Sequence, residues 1–339
     1  MGWFSFTQEI AVDLGTANTI IMHNDKIVVD QPSIIARDAK TEKLIAVGER
    51  AREMQGKENP NIQTIRPLKD GVIADFTAAE LMIRGLVKMV SSKNHWFSPS
   101  LRMVVCIPSG STEVEIRAVR DSSDRAGGRD VYMIKEPIAA ALGIGLDVLA
   151  PEGNMIVDIG GGSTEIAVIS LGGIVTDKSI RVAGDDLTED IMEYMRRAHN
   201  VKVGERMAET IKINVGSALT ELENPPEDYV VHGPNLMTAL PMEIPVSYQE
   251  ISHCIEKSIS KIEAAVLGAL ENTPPELYAD IVKNGVYLTG GGALLRGLDK
   301  RLTDKIGIQF HIADDPLHSV AKGTGVALKN IGKFSFLIR

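Results

Sequence analysis

The chain carries one local pattern twice. Residues 12–21 read VDLGTANTII and residues 157–170 read VDIGGGSTEIAVIS. In each, a run of apolar residues marks a strand that ends in Asp-apolar-Gly, turns on small residues and resumes as a second strand. Glycine at such a tip leaves backbone N–H groups unshielded, so they can donate to phosphate oxygens. The aspartate ahead of the turn has the wrong charge to hold a phosphate itself. It suits a Mg²⁺ ion or its waters, and the ion then bridges to the phosphates. Asp13 and Asp158 take that role in this reading. A tight turn with an Asx-type bond would explain either copy alone. Two copies in equivalent positions weigh against that plainer account.

What flanks the two hairpins repeats as well. Strand-like runs fall at 9–12, 19–23, 26–30, 44–47, 102–107 and 131–134, then at 154–158, 166–170, 173–180 and 285–289. Helical periodicity covers 77–91, 112–126, 137–146, 187–199, 204–219, 247–270, 294–306 and 320–331. Two hairpins followed by strand, helix, strand and helix occur from residue 9 to 146 and again from 154 onward. The spacing predicts two similar α/β halves facing each other across a cleft, a duplication of architecture and not a short solenoid repeat. With 339 residues the chain has room for two such domains. A third glycine cluster, LTGGGALL at 288–295, follows a strand and is expected to open a helix whose N-terminal amides suit an adenosine or α-phosphate group.

Composition narrows the function classes. Apolar residues make up 44% and charged residues 24%, enough for a full core. The net charge is −9 and no Lys/Arg-rich run stands out, which argues against a nucleic acid partner. Cys106 and Cys254 stand far apart in apolar surroundings, as buried thiols of a reducing compartment do. No apolar run approaches the ~20 residues of a membrane span. The opening MGWFSFTQ has neither the basic head nor the small-residue cleavage site of a signal peptide. Phe6 stands where a myristoylation pattern needs Ser or Thr. The expected location is the cytoplasm.

Taken together the three glycine signatures resemble the actin / sugar-kinase / DnaK-type ATPase superfamily. Seven ordered blocks resemble its MreB branch of bacterial actins: DLGTANT, RPLKDGVIADF, VCIPSGSTEVEIRAV, EPIAAALGIGL, VDIGGGSTEIAVISLGGIV, IKINVGSA and LTGGGALLRGLD. The likeness runs from about residue 8 to 328. It implies a duplicated actin-like (ribonuclease H-like) ATPase fold, with two domains around a nucleotide cleft. The first would hold residues 1–145 plus 315–339, with a small subdomain at about 31–75. The second would hold 146–314, with one at about 183–245. It implies ATP and Mg²⁺ as cofactors, with Gly15, Thr16, Ala17 and Asn18 at the first phosphate turn and Gly160, Gly161, Gly162 and Ser163 at the second. Glu209 and Lys212 would lie at the adenosine, Gly290, Gly291, Gly292 and Ala293 beside the nucleotide, and Glu115 would orient the attacking water. Asp185 is placed near the nucleotide, or else caps a helix. Two of these have local alternatives: Thr112 to Glu115 also reads as a capping box, and Glu209 with Lys212 as a surface ion pair. Ser163 keeps the hydroxyl where the family has Thr, and Lys135 stands where it commonly has a second acid.

The two tryptophans sit in aromatic clusters at the N-terminus (Trp3, Phe4, Phe6) and in a polar, proline-bounded loop (Trp96, Phe97). Exposed rings of this kind suit a bilayer interface; packing on the protein itself or on a neighbouring subunit is the alternative. Family likeness adds filaments of the chain with itself, attachment to the inner face of the cytoplasmic membrane, and membrane morphogenesis and cell-wall synthesis proteins as partners in maintaining rod cell shape. A small-molecule kinase on the same fold is the competing function, since Glu115 stands where its base would. A chaperone ATPase is disfavoured, because little sequence follows the last helix.

Overall fold

The computed structural model describes residues 7–90 and 100–339. Two five-stranded sheets organise it. In chain order the first comprises Thr7–Leu14, Asn18–His23, Lys26–Pro32, Ser100–Ile107 and Gly128–Lys135. The second comprises Asn154–Ile159, Thr164–Ser170, Gly173–Ile180, Val286–Thr289 and Phe310–Ile312. Numbering strands within each sheet, both run 3-2-1-4-5 across the sheet. In both, strands 1, 2 and 3 pair antiparallel and strands 1, 4 and 5 pair parallel. The duplication expected from the two hairpins is thus a repeat of topology, handed on strand for strand.

Hairpin register is equivalent too. Leu14 lies opposite Thr19 and Ile159 opposite Thr164, so each turn spans the same number of residues, 15–18 and 160–163. The strand-1 residues Ile10, Val12, Met155 and Val157 are buried, as are Ala11 and Ile156 between them. A strand covered on both faces needs apolar residues in unbroken runs, which is how both hairpins read. The core is layered. One cluster joins the outer face of the first sheet to the helices Phe76–Val90 and Glu113–Arg125, through Val12, Val105, Met82, Leu86 and Val119. A second joins the outer face of the second sheet to the long helix Tyr248–Glu271, through Val157, Val168, Ile255 and Ile262. Between the sheets lies a third, where Val104 and Ile134 meet Ile156, Ala167 and Ile169 around the helices Glu136–Gly143 and Ser319–Lys329.

Those two helices cross backbone to backbone. A Cβ built on Gly323 would overlap the Ala139 carbonyl oxygen, and one on Gly143 would overlap the Ser319 carbonyl oxygen. Glycine is what allows the approach. Above the sheets, Ile35–Asp38, Leu44–Val47 and Ile62–Ile65 form a small three-stranded sheet. The helices Gly184–Ala198 and Glu205–Val215 stand opposite it, beside a hairpin of Tyr229–Pro234 and Pro241–Val246. That hairpin turns at 235–240.

One boundary read from sequence is corrected, and one helix is added. The glycine cluster after Val286–Thr289 does not open a helix: Gly291–Leu294 is one 3-10 turn, and the helix starts only at Leu298. The helix Pro275–Asn284, absent from the sequence reading, starts on the second residue of a Pro-Pro pair; proline fits the first helical turn, where its missing N–H has no partner to lose.

Candidate functional site

The two phosphate-type turns meet. A Cβ on Gly162 would lie 2.8 Å from Thr16 Oγ1 and from the Asp70 amide, and one on Gly161 would lie 2.8 Å from the Ala17 Cβ. The Gly71 amide donates to Thr16 Oγ1 at 3.1 Å. The Lys69–Gly71 segment thus wedges in where the two turns face each other. The second turn is also tied to the helix behind it, for the Gly184 and Asp185 amides donate to the Gly160 and Gly161 carbonyls at 3.1 and 2.7 Å.

Asp13 and Asp158 occupy equivalent positions at the ends of the two first strands. Each receives one hydrogen bond from the neighbouring fourth strand: Cys106 Sγ donates to Asp13 Oδ1 at 3.0 Å and Thr289 Oγ1 to Asp158 Oδ1 at 2.9 Å. Burial pushes the Asp158 carboxyl up to about 7; the Thr289 bond opposes this, and the Asp13 and Glu165 charges add to it. Asp13 keeps some exposed surface on the cleft floor, yet the protein packed round it pushes its carboxyl to about 6, with the Cys106 bond acting the other way.

Two further acids join them that sequence reading missed. Glu136, at the start of the crossing helix, is driven well above the carboxylate range by burial first and then by Glu165, Asp158 and Asp13. Glu165, fully buried, accepts from the Ser109 amide and hydroxyl at 3.1 and 2.6 Å and from Ser179 Oγ at 2.6 Å. The signal for Glu165 was present, as a charged residue inside an otherwise apolar strand. Carboxylates crowded in low dielectric repel one another, and a cation relieves them. Among the described residues no three His, Cys, Asp or Glu side chains converge closely enough to hold a metal directly. The donor set therefore fits Mg²⁺ held through water and phosphate, the ion's usual manner.

Glu209 and Lys212 do form the ion pair, at 2.7 Å, but it is not a plain surface pair. Lys212 Nζ also donates to the Gly184 carbonyl at 2.8 Å and Thr188 Oγ1 at 3.0 Å, and Thr188 Oγ1 donates to Glu209 Oε2 at 2.7 Å. Both residues thus brace the helix start that carries the second turn. Gly290 adopts φ +78°, open to glycine, and its backbone lies directly on Ile159 and Asp158. With Gly291, Gly292 and Ala293 it flanks the second turn, its amide donating to the Pro316 carbonyl at 2.9 Å.

Glu115 sits in a complete capping box. Its Oε2 accepts from the Thr112 amide and hydroxyl at 2.8 and 2.9 Å, and its own amide donates to Thr112 Oγ1. Its other oxygen, Oε1, faces Arg181 of the opposite half at 3.8 Å. Asp185 is no cap: it lies in the first turn of Gly184–Ala198 and pairs with Arg66 at 2.7 Å. Trp3, Phe4, Phe6, Trp96 and Phe97 lie outside the described residues. Among the described residues no helix is long and apolar enough to cross a membrane.

The family model described as MreB/Mbl protein matches residues 7–335. Cell shape-determining protein Mbl of Bacillus cereus is 44% identical over 329 residues, covering 97% of this chain and 98% of that one. The crystal structure of MreB 5 of Spiroplasma citri bound to AMPPNP superposes with a TM-score of 0.89 at 38% identity, covering 96% of this chain and 97% of that one. The MamK double helical filament gives 0.79 at 19% identity over 96% and 99%, a likeness of fold. The actin-like fold expected from the motifs is the one found.

Proposed function

Because the chain belongs to the MreB/Mbl protein family, we propose that it is an ATP-dependent bacterial actin homologue. It assembles into filaments on the inner face of the cytoplasmic membrane and organises cell-wall synthesis to maintain rod shape. Its partners are further copies of itself and membrane morphogenesis and cell-wall synthesis proteins. One observation carries the reading most: two aspartates on equivalent strands of two topologically equal sheets, each ahead of a glycine turn, with the turns in contact. Two neighbours support it, one solved with AMPPNP and the other as a filament. The small-molecule kinase alternative finds no support, since the kinship over nearly the whole chain is to cell-shape proteins.

In this reading the amides of 15–18 and 160–163 receive phosphate oxygens from opposite sides, while Asp13 and Asp158 hold the metal's waters. Bound Mg²⁺ would supply positive charge that keeps both carboxylates ionised and draws electron density from the terminal phosphoryl group. Glu209 and Lys212 place the helix start that supports the second turn, with Gly290 to Ala293 beside it. Glu115 orients the attacking water through Oε1, the oxygen its cap leaves free. Hydrolysis is slow and serves assembly. The domains divide as 1–145 with 315–339 and 146–314. Trp3, Phe4, Phe6, Trp96 and Phe97 insert at the bilayer interface, each site weak alone and firm when a filament repeats it.

The test is pelleting with liposomes and Mg·ATP, read by electron microscopy, for wild type and the Trp3→Ala/Trp96→Ala double variant. Filaments on lipid that detach in the variant are expected. No filaments with any nucleotide would sink the proposal.

A further inference from the structure

Arg66 follows the strand Ile62–Ile65 of the first small sheet, and its guanidinium reaches across to the opposite half. Its two arms take different carboxylates: one nitrogen donates to Glu205 Oε1 at 2.6 Å and the other to Asp185 Oδ2 at 2.7 Å. The second nitrogen also lies 3.4 Å from the Thr16 carbonyl of the first turn. Asp185 in turn donates its amide to Gly161 of the second turn. One side chain therefore touches both phosphate turns, the first directly and the second through the residue bonded to it.

We propose that Arg66 is a positioning residue of the nucleotide site, a clasp that holds the two phosphate turns in register across the cleft. The inference rests on the ATP reading above and assigns a residue that reading does not use. A planar fork sends donors from separate nitrogens to the two carboxylates, whereas a lysine ammonium would have to draw both carboxylates to one nitrogen. Burial penalises the Asp185 carboxylate by more than Arg66 returns, so its proton affinity stays raised. Gln55, whose amide donates to Glu205 Oε2 at 3.1 Å, keeps the Glu205 end in place.

The experiment compares wild type, Arg66→Lys, Arg66→Gln and Asp185→Asn by two readouts. Release of a fluorescent ATP analogue with Mg²⁺ is followed by stopped flow. Amide hydrogen exchange at 69–71 and 184–186 is followed in the nucleotide-free chain. Release from Arg66→Gln is expected to be about tenfold faster, the factor that ~1.4 kcal/mol represents, with Arg66→Lys intermediate. Asp185→Asn should behave like Arg66→Gln, and exchange should quicken on both sides of the cleft. Salt should speed release from wild type more than from Arg66→Gln, because screening also acts on the pair that the variant lacks. Unchanged release and exchange in both Arg66→Gln and Asp185→Asn would overturn the clasp. A wild type that binds no nucleotide would instead overturn the ATP reading.

Discussion

At the scale of single residues, the two aspartates set the pH behaviour of the site. The Asp158 carboxyl moves from 3.8 to about 7 on folding. Above the unfolded value the unfolded chain has given up this proton while the folded chain still holds it. Stability is thus full below about pH 4 and falls as pH rises towards 7. Asp158→Asn keeps the Thr289 contact and has no charge to bury. Without nucleotide, the variant should be more stable than wild type by about 2–4 kcal/mol at pH 8. The difference should vanish near pH 4, and thermal unfolding across that range reads it. Equal midpoints at pH 8 would mean that the site solvates Asp158 well. Mg·ATP affinity of wild type should rise from pH 5.5 to 7.5, as Asp13 and Asp158 give up protons to bind the cation's waters, and Asp158→Asn should lose most of the metal dependence. Both aspartates were legible in sequence because a strand, an acid and a glycine turn are local. Glu136 was quoted within a motif but not read as part of the site. What brings it to Asp13, Asp158 and Glu165 is the packing of two sheets, which no window of sequence contains.

The elements that carry the site repeat the lesson. Thr112 to Glu115 supported two readings, and the structure builds the capping box. Glu115→Gln separates them. Glutamine can complete the box as glutamate does, so the unfolding midpoint should stay put. An amide is a far poorer partner than a carboxylate for the attacking water, so phosphate release should fall about 10²-fold or more. Thr112→Ala should do the reverse, costing about 1 kcal/mol of stability through the lost cap with hydrolysis largely kept. Near-normal phosphate release from Glu115→Gln would confine Glu115 to capping. The long periodic helices and the central strands were readable because burial on a regular period leaves an unmistakable trace. The strands Ile35–Asp38 and Ile62–Ile65 were not: they are short and interrupted by Arg37, Asp38, Gln63 and Thr64. The glycine cluster at 290–292 promised a helix, but Gly297, in the left-handed region, delays it to Leu298.

For the whole molecule, the decisive feature is how two equal sheets are joined. Each is closed on its outer face by its own helices, and both share the inner layer around Glu136–Gly143 and Ser319–Lys329. These helices cross with no side chain between them at Gly143 and Gly323, so the angle between the halves, and with it the meeting of the two turns, is set by backbone contact. Gly323→Ala places a methyl where the Ala139 carbonyl oxygen lies. The helices must part, and the layer common to both sheets opens with them. The expected outcome is a loss of about 3 kcal/mol or more, from overpacking that backbone has to absorb. Weaker Mg·ATP binding should accompany it, because the turns no longer face each other at the same separation. Gly332→Ala is the matched control: a Cβ there meets nothing within 4 Å, so both quantities should stay at wild-type values. If Gly323→Ala loses stability but binds nucleotide normally, the crossing is a core contact and no more. Loss of both, with the control silent, would place the register of the phosphate turns under the control of a helix crossing on the far side of the sheets' first strands. The sequence holds that relation only as two glycines, Gly143 and Gly323, far apart in the chain.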